Sequence, residues 1–155
     1  MRSIAIGIVA AISAFSSAAQ AQTVTAQDPR SVATAMQNAG YKAELTKDPT
    51  GDPLINSSSS GSSFAIYFYN CTNNKDCRTI QFSSAYTCDK TPTTDSMNDW
   101  NNSKRFARAY VTSKGTARVE MDLDLDDGGM SKMLFEDNVE YWVALMAQFE
   151  KHLDK

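Results

Sequence analysis

The stretch DSMNDWNNSKRFARAYVTSKGTARVEMDLDLDDGG, residues 95–129, decides the fold that we predict for this chain. It opens as a short helix, for which Asp95 is a natural N-cap. Two strands follow, at 106–111 and 117–125, and a Ser-Lys-Gly-Thr turn joins them as a hairpin. Apolar and acidic residues alternate along the second strand, which predicts one face in the core and one in water. The predicted water-facing residues are Glu120, Asp122, Asp124 and Asp126.

The sequence on either side of this stretch predicts a run of strands between two helices. Asp28 and Pro29 form a helix start, and Gly40 is a natural stop after an apolar stripe of helical period. Ser131 can cap a long final helix that ends near Leu153. The predicted strands between the first two helices are 41–47, 54–55, 64–69 and 78–87.

A serine-rich segment, 56–63 (NSSSSGSS), separates the second of these strands from the third. We interpret it as the tip of a hairpin, and a ligand-binding loop is the alternative. The resulting order of elements is α-ββββ-α-ββ-α. Runs of strands flanked by helices predict an α+β domain, in which helices pack on one antiparallel sheet of about five to six strands.

The first residues are typical of an export signal. Arg2 precedes an apolar run at 4–15, and Ala19-Gln20-Ala21 matches the small-residue pattern of a signal-peptidase site. The predicted division is a cleaved signal peptide, 1–21, a flexible leader, 22–30, and one α+β domain, 31–155. We therefore expect a protein that is periplasmic or secreted.

Composition argues against two classes of partner. The 155-residue chain has 15 Lys and Arg against 18 Asp and Glu, a net charge of −3. Such a chain lacks the basic surface that nucleic acid requires, so we expect no nucleic-acid partner. No segment after the leader is long and apolar enough to cross a bilayer, so we also expect no stable membrane insertion.

Three cysteines occur in the chain, and exported proteins oxidise their pairs. Cys71 and Cys77 bracket the turn between two strands that should pair, and cross-strand neighbours have nearly the geometry that a disulfide needs. We predict a Cys71–Cys77 disulfide. Cys88 is then unpaired, and it is a buried thiol, an intermolecular bridge or a reactive group.

No catalytic, cofactor-binding or metal-binding constellation stands out. The only histidine, His152, falls in the last turn of the last helix, where the helix dipole favours it, and we expect it to face solvent. A nucleophilic triad or dyad would have no other histidine to use. The acidic second strand opens like a calcium loop, but Met133 stands where that loop needs a glutamate. The alternative is a weak cation site formed by Asp126, Asp127 and Glu136.

Taken in order, several segments resemble the YbjN family, the group labelled bacterial sensory-transduction regulators. They are Gly40-Tyr41, Phe64-x-x-Tyr67-Phe68-Tyr69, the run Trp100-Asn101-x-x-Lys104-Arg105-Phe106-Ala107-Arg108-Ala109-Tyr110, Gly128-Gly129 and Phe135-Glu136. The resemblance spans about 32–153. It implies the fold of type III secretion chaperones, a curved antiparallel sheet with helices on one side that is often dimeric. It also implies an interaction module without enzyme activity.

The family signature has a physical interpretation as well. Trp100 and Phe106 are predicted to pack the middle helix on the sheet. Asn101 is predicted either to cap the helix or to bridge backbone groups at the helix–strand junction. The basic cluster of the signature is Lys104, Arg105 and Arg108. This cluster either contacts a partner or an anionic ligand, or pairs with acidic residues of the neighbouring strand.

The expected function is an exported, non-enzymatic binding module, chaperone-like or regulatory, with an unidentified protein partner and a homodimer as one expected assembly. Its candidate binding residues are Trp100, Lys104, Arg105, Arg108 and Tyr110. The alternative is a periplasmic sensor that binds a small molecule or a cation in a pocket between sheet and helices, close to Arg105, Arg108 and Tyr110. Neither function implies a cofactor.

Overall fold

The computed structural model describes residues 23–153, and the predicted signal peptide with its cleavage site lies outside this range. In chain order its elements are β1 (Thr23–Val24), α1 (Pro29–Asn38), β2 (Glu44–Lys47), β3 (Pro53–Ser59), β4 (Ser62–Tyr69), β5 (Thr79–Tyr86), α2 (Thr94–Ser103), β6 (Arg108–Val111), β7 (Ala117–Asp124), β8 (Met130–Ser131) and α3 (Lys132–Leu153). The predicted succession α-ββββ-α-ββ-α is confirmed, and two short strands, β1 and β8, are added to it. None of the described helices is long and apolar enough to cross a bilayer.

Six strands form one antiparallel sheet in the order β2-β3-β4-β5-β7-β6. β7 lies between β5 and β6 although it follows both in the chain, and α2 belongs to the connection from β5 to β6. In the central pair, Phe82 lies opposite Met121 and Ser83 lies opposite Glu120. The predicted α+β class, with helices packed on a single large antiparallel sheet, is therefore confirmed.

α3 covers one face of this sheet with an apolar stripe that returns every seven residues. Phe135, Trp142 and Phe149 of the stripe are buried completely. The ring of Trp142 lies 5.7 Å from that of Phe82 on β5 and 5.9 Å from that of Phe64 on β4. Burial of one large apolar side chain stabilises the fold by roughly 1.5–3 kcal/mol, so these contacts are the main attachment of α3 to the sheet.

The flexible leader predicted for 22–30 is wrong in its described part. β1 pairs with β8, which places Val24 opposite Met130, and the Val24 side chain is buried. The close approach of β1 explains why position 129 is a glycine. At Gly129, where φ is +75°, an added Cβ would lie 2.2 Å from the carbonyl oxygen of Val24. The polar composition of this segment gave no indication of β1, because the strand forms only by pairing with β8, which lies about 100 residues further along the chain.

The predicted helix starts are largely confirmed by their caps. The side chain of Asp28 accepts a hydrogen bond from the backbone N–H of Arg30 at 3.1 Å. Ser131 accepts one from the N–H of Leu134 at 3.3 Å. The middle helix begins slightly earlier than predicted, because Thr93 and not Asp95 is its N-cap.

The serine-rich segment is confirmed as a hairpin tip, although most of its serines lie within the strands. β3 continues to Ser59 and β4 begins at Ser62. The two residues between them, Ser60 and Gly61, have φ values of +51° and +90°, as the tightest hairpin turns require. The predicted disulfide between Cys71 and Cys77 is present in the connection from β4 to β5.

Asn101 ties α2 to the edge strand β6. Its Nδ2 donates to the carbonyl oxygen of Ala109 at 3.0 Å, and its Oδ1 accepts from the N–H of Ala109 at 2.7 Å. The predicted bridging role of Asn101 is confirmed. Because both backbone groups of Ala109 are occupied, another strand cannot pair with β6 at this residue.

Two aromatic residues of the signature, Trp100 and Phe106, have different environments. Trp100 is only 1% exposed, and its ring lies 4.9 Å from that of Phe149 on α3. Phe106, which we also predicted to pack against the sheet, is 51% exposed, so that prediction is wrong. Its ring lies 5.1 Å from the ring of Tyr141, on the solvent side of α3.

Candidate functional site

The candidate site lies on the sheet surface that faces away from α3, which we call the open face. Val119 and Met121 of β7 are buried in the core, so the alternation of side chains along the strand directs Arg118, Glu120 and Asp122 to the opposite surface. The polar residues of the open face are Tyr69, Gln81, Ser83, Arg108, Tyr110, Arg118, Glu120 and Asp122.

Glu120 is the centre of this surface. Its Oε2 accepts hydrogen bonds from Nε and Nη2 of Arg108 at 3.2 and 2.9 Å. Its Oε1 accepts one from the hydroxyl of Tyr110 at 2.9 Å. The pattern of β7 placed Glu120 in water, but its side chain is only 5% exposed. That prediction is wrong because neighbouring long side chains cover the carboxylate.

Arg118 and Ser83 complete the enclosure of this carboxylate. The hydroxyl of Ser83 lies 3.4 Å from Oε1 of Glu120. Nη1 of Arg118 donates to the Ser83 hydroxyl at 3.3 Å and lies 3.9 Å from the same Glu120 oxygen. Arg118 is 34% exposed and Arg108 is 63% exposed, so water meets the two guanidinium groups and barely reaches the carboxylate between them.

A second chain of hydrogen bonds crosses the same face towards β4. The hydroxyl of Tyr69 donates to Oε1 of Gln81 at 3.3 Å, and Nε2 of Gln81 donates to Oδ1 of Asp122 at 2.8 Å. The ring of Tyr67 lies 6.4 Å from that of Tyr69. The open face therefore combines exposed phenol rings with two arginines around one buried acid.

Electrostatics fixes the protonation of two groups at this site. Burial, followed by the hydrogen bond to Glu120, raises the pKa of Tyr110 above its ordinary value. The hydrogen bond to Glu120 raises the pKa of Arg108. Tyr110 therefore stays neutral and Arg108 stays charged at neutral pH, so both remain hydrogen-bond donors to Glu120.

The structure separates the sequence-predicted binding residues into two groups. Arg108 and Tyr110 meet on the open face, whereas Trp100 is buried. Nζ of Lys104 donates to Oε1 of Gln148 at 2.7 Å and lies 5.0 Å above the ring of Trp100. The guanidinium of Arg105 lies 5.3 Å from the ring of Phe106. The predicted pairing with the neighbouring strand is thus present for Arg108 alone.

Four residues of the open face were missed: Tyr69, Gln81, Ser83 and Arg118. Each alternates with core residues in its strand, so its direction was predictable. The pairing of β5 with β7 brings Ser83 opposite Glu120 and Gln81 opposite Asp122. The signal that could have found them was this register, which the sequence pattern of either strand alone does not give.

The acidic residues considered for a cation do not form a site. Asp126 pairs with Arg78 at 3.4 Å, and Glu136 pairs with Lys132 at 2.6 Å. Within residues 23–153, no three His, Cys, Asp or Glu side chains are grouped closely enough to hold a metal ion.

An open polar cleft of about 1250 Å³ lies at one end of the sheet, between the β5–α2 connection and the end of α3. Cys88, which is half-buried and unpaired, and Glu150 both line it. His152, expected in solvent, is half-buried: its Nε2 lies 2.8 Å from the carbonyl oxygen of Ser96, and its ring packs 5.7 Å from that of Trp100. Arg105, Arg108 and Tyr110 are not among the residues of this cleft.

Comparison with known proteins identifies the family. No curated protein and no solved structure matches the chain. One family model matches residues 28–155, which is most of the chain and includes both the signature of the α2–β6 region and all the residues of the open face. The chain therefore belongs to the YbjN family, whose description is "Putative bacterial sensory transduction regulator".

Proposed function

We propose that this protein is an exported, non-enzymatic regulatory module that binds a segment of a partner protein on its open face, in the periplasm or outside the cell. The family description supports a regulatory role. The observation that carries the proposal is the set of exposed tyrosines and arginines fixed around the buried carboxylate of Glu120.

Tyrosine and arginine are among the residues that contribute most to the binding energy of protein interfaces, because each offers a large contact area together with a polar end. Binding normally costs side-chain entropy. On the open face, Tyr110 and Arg108 are already held by Glu120, and Tyr69 is held by Gln81. The cost of ordering them on binding is correspondingly small.

The test compares two exposed tyrosines on opposite sides of the domain. Tyr69, on the open face, is 44% exposed, and Tyr141, on α3, is 50% exposed. The exported chain would be immobilised and incubated with envelope extract, as wild type, Tyr69→Ala and Tyr141→Ala. We expect a partner that wild type and Tyr141→Ala retain and that Tyr69→Ala loses. Equal retention by all three proteins, or no partner at all, would contradict the proposal.

The homodimer belongs to the same proposal, and the solvent side of α3 supports it. Phe106, Met133, Leu134 and Tyr141 are large apolar residues that are at least half exposed. They offer roughly 400 Å² of apolar surface, as much as the largest patch on a typical monomer. Interfaces are about 57% apolar and occupy about 800 Å² on each partner, so this patch with a polar rim is close to the size that a dimer needs.

A second candidate function is the binding of a small cationic ligand in the polar cleft. The hydroxyl of Tyr86 is buried at this cleft, beside the carboxylate of Glu150. Carboxylates at Asp95, Asp99 and Glu150 line the same space. Thermal unfolding against a panel of cations and amines tests this function, since a ligand at 100 times its Kd adds about 2.7 kcal/mol. A response that Glu150→Gln abolishes would support it, and a flat response would contradict it.

A further inference from the structure

We infer that the open face recognises a carboxylate side chain in an acidic segment of its partner, bound by Arg108 and Arg118 and oriented by Glu120 as the positioning residue. The inference rests on the proposed function and adds the chemistry of the partner. It follows from a specific juxtaposition, in which two partly exposed guanidinium groups flank one carboxylate that water hardly reaches.

The first argument is the sign of the exposed charge. The chain as a whole is acidic, with a net charge of −3. At this position the negative group is covered, since the Glu120 side chain is 5% exposed while Arg108 is 63% exposed. A partner group that approaches the open face between Arg108 and Arg118 therefore meets positive charge, and complementary charge favours an anionic group at this position.

The second argument is the number of hydrogen-bond donors. A guanidinium has five N–H donors in a planar fork. Arg108 donates its Nε hydrogen and one Nη2 hydrogen to Glu120, and Arg118 donates one Nη1 hydrogen to Ser83. The remaining donors of both groups have no hydrogen-bond acceptor in the described chain. Planar forks of this kind match the two oxygens of a carboxylate.

The third argument limits the charge of the ligand. Arg108 and Arg118 with Glu120 sum to one positive charge. Asp122, the next residue of β7 on this face, is exposed and is held there by Gln81. A phosphate dianion or a polyanion would meet both carboxylates and be repelled. A single carboxylate carries half the charge of such a dianion, so it meets less repulsion while it satisfies the free donors, and an acidic peptide side chain fits better than a phosphorylated one.

The test uses a defined probe, N-acetylglutamate N-methylamide, which carries one side-chain carboxylate. The matched control is N-acetylglutamine N-methylamide, which has nearly the same shape and no charge. NMR resonances of the arginine Nε–H groups would be followed in the exported chain, residues 22–155, during titration with each compound. We expect saturable shifts at Arg108 and Arg118 with the acid, none at Arg105, and none anywhere with the amide.

Variants separate binding from folding. Arg118→Gln is expected to weaken binding of the acid by about tenfold or more, and Arg105→Gln, on the α3 side of the domain, to leave it unchanged. Arg108→Gln alone leaves the buried carboxylate of Glu120 without its main partner, which destabilises the fold. The double variant Arg108→Gln/Glu120→Gln therefore tests Arg108 without leaving an unpaired buried charge. It should fold and lose the response.

Glu120→Gln tests the positioning role. Removal of a negative charge, taken alone, should tighten the binding of an anion. If Glu120 orients Arg108, the variant should bind the acid more weakly instead, and the Nε–H resonance of Arg108 should leave its hydrogen-bonded position while the backbone amide spectrum stays folded. Tighter binding by Glu120→Gln would overturn the positioning role.

Two outcomes would overturn the carboxylate inference. Inorganic phosphate that binds Arg108 and Arg118 more tightly than the carboxylate would assign the site to phosphate-bearing ligands. No shift with either anion, while Tyr69→Ala still loses the envelope partner, would show that the open face binds that partner by other chemistry. In that second case the proposed function stands and only the inference fails. If Tyr69→Ala also retains the envelope partner, both the proposed function and the carboxylate inference fail.

Discussion

Arg108 donates two hydrogen bonds to one oxygen of Glu120, from Nε at 3.2 Å and from Nη2 at 2.9 Å. The pair joins neighbouring strands, since Arg108 on β6 lies directly opposite Glu120 on β7. The other oxygen of Glu120 is bound by Tyr110. One buried acid thus fixes both residues of the family signature that reach the open face.

Arg108→Gln is expected to lower the free energy of unfolding by about 1–2 kcal/mol. Glu120 loses two charged donors but retains those of Tyr110 and Ser83, and the exposure of Arg108 weakens the pair through solvent screening. Urea unfolding measures the loss. Arg108→Gln/Glu120→Gln should recover part of it, because no buried charge is left unpaired. A single variant as stable as wild type would show that the pair contributes nothing to stability.

Asn101→Ala is expected to cost about 1–2 kcal/mol, because both of its hydrogen bonds to the backbone of Ala109 are lost. Asn102→Ala is the matched control, since the neighbouring side chain is exposed on the same helix and gains the same helix propensity. Hydrogen exchange at the amide of Ala109 should accelerate in the first variant only. Equal exchange in both variants would contradict the role of Asn101.

Gly129→Ala is expected to separate β1 from β8, because the added Cβ would lie 2.2 Å from the carbonyl oxygen of Val24. Gly128→Ala controls for the backbone, since Gly128 also has a positive φ but no atom within 4 Å of the added Cβ. Hydrogen exchange at the amides of β1 and β8 reports the separation. We expect faster exchange in Gly129→Ala than in Gly128→Ala, and the same rate in both would disprove a specific close contact.

Tyr86 predicts how stability changes in alkali. Burial raises the pKa of Tyr86 to about 12 in the folded protein, against about 10 in the unfolded chain. The folded state therefore holds its proton where the unfolded state has lost it, so stability falls as pH rises from about 10 towards 12. Tyr86→Phe should reduce this slope in urea unfolding. An unchanged slope in Tyr86→Phe would contradict the assignment.

The succession of elements was predictable because it depends on local patterns. The caps at Asp28 and Ser131 and the alternation along β7 are each visible within a few residues of sequence. Burial of Glu120 was not predictable in this way. It depends on Arg108 and Ser83, which reach Glu120 from two other strands, and the register that aligns them is a property of the assembled sheet.

The same reasoning explains the other differences. β1 looked like a loose leader because its composition is polar, and only its pairing with β8 buries Val24. Phe106 looked like a core residue because it is aromatic, but the connection from α2 to β6 passes along the solvent side of α3 and leaves its ring beside Tyr141. The type of a residue predicts only how often residues of that type are buried. Whether a particular residue is buried depends on the path of the chain and on the pairing of strands in the folded protein.

The assembly state is tested by light scattering with size exclusion, under oxidising and reducing conditions. We expect a dimer that survives reduction and that Leu134→Ser or Tyr141→Ser dissociates, since both residues belong to the exposed α3 patch. Lys114→Ser, on the exposed β6–β7 turn, is the control. A dimer that is lost on reduction would assign the contact to Cys88, and a monomer throughout would remove the dimer from the proposal.

The most direct test of the central claim is site-specific photo-crosslinking in living cells. A photoreactive phenylalanine would replace Tyr69 on the open face in one strain and Tyr141 on α3 in another. We predict that the first strain gives a crosslinked product with a different envelope protein, and that Arg118→Gln in the same strain reduces it. A partner product from position 141 with none from position 69 would contradict the open face as the binding surface.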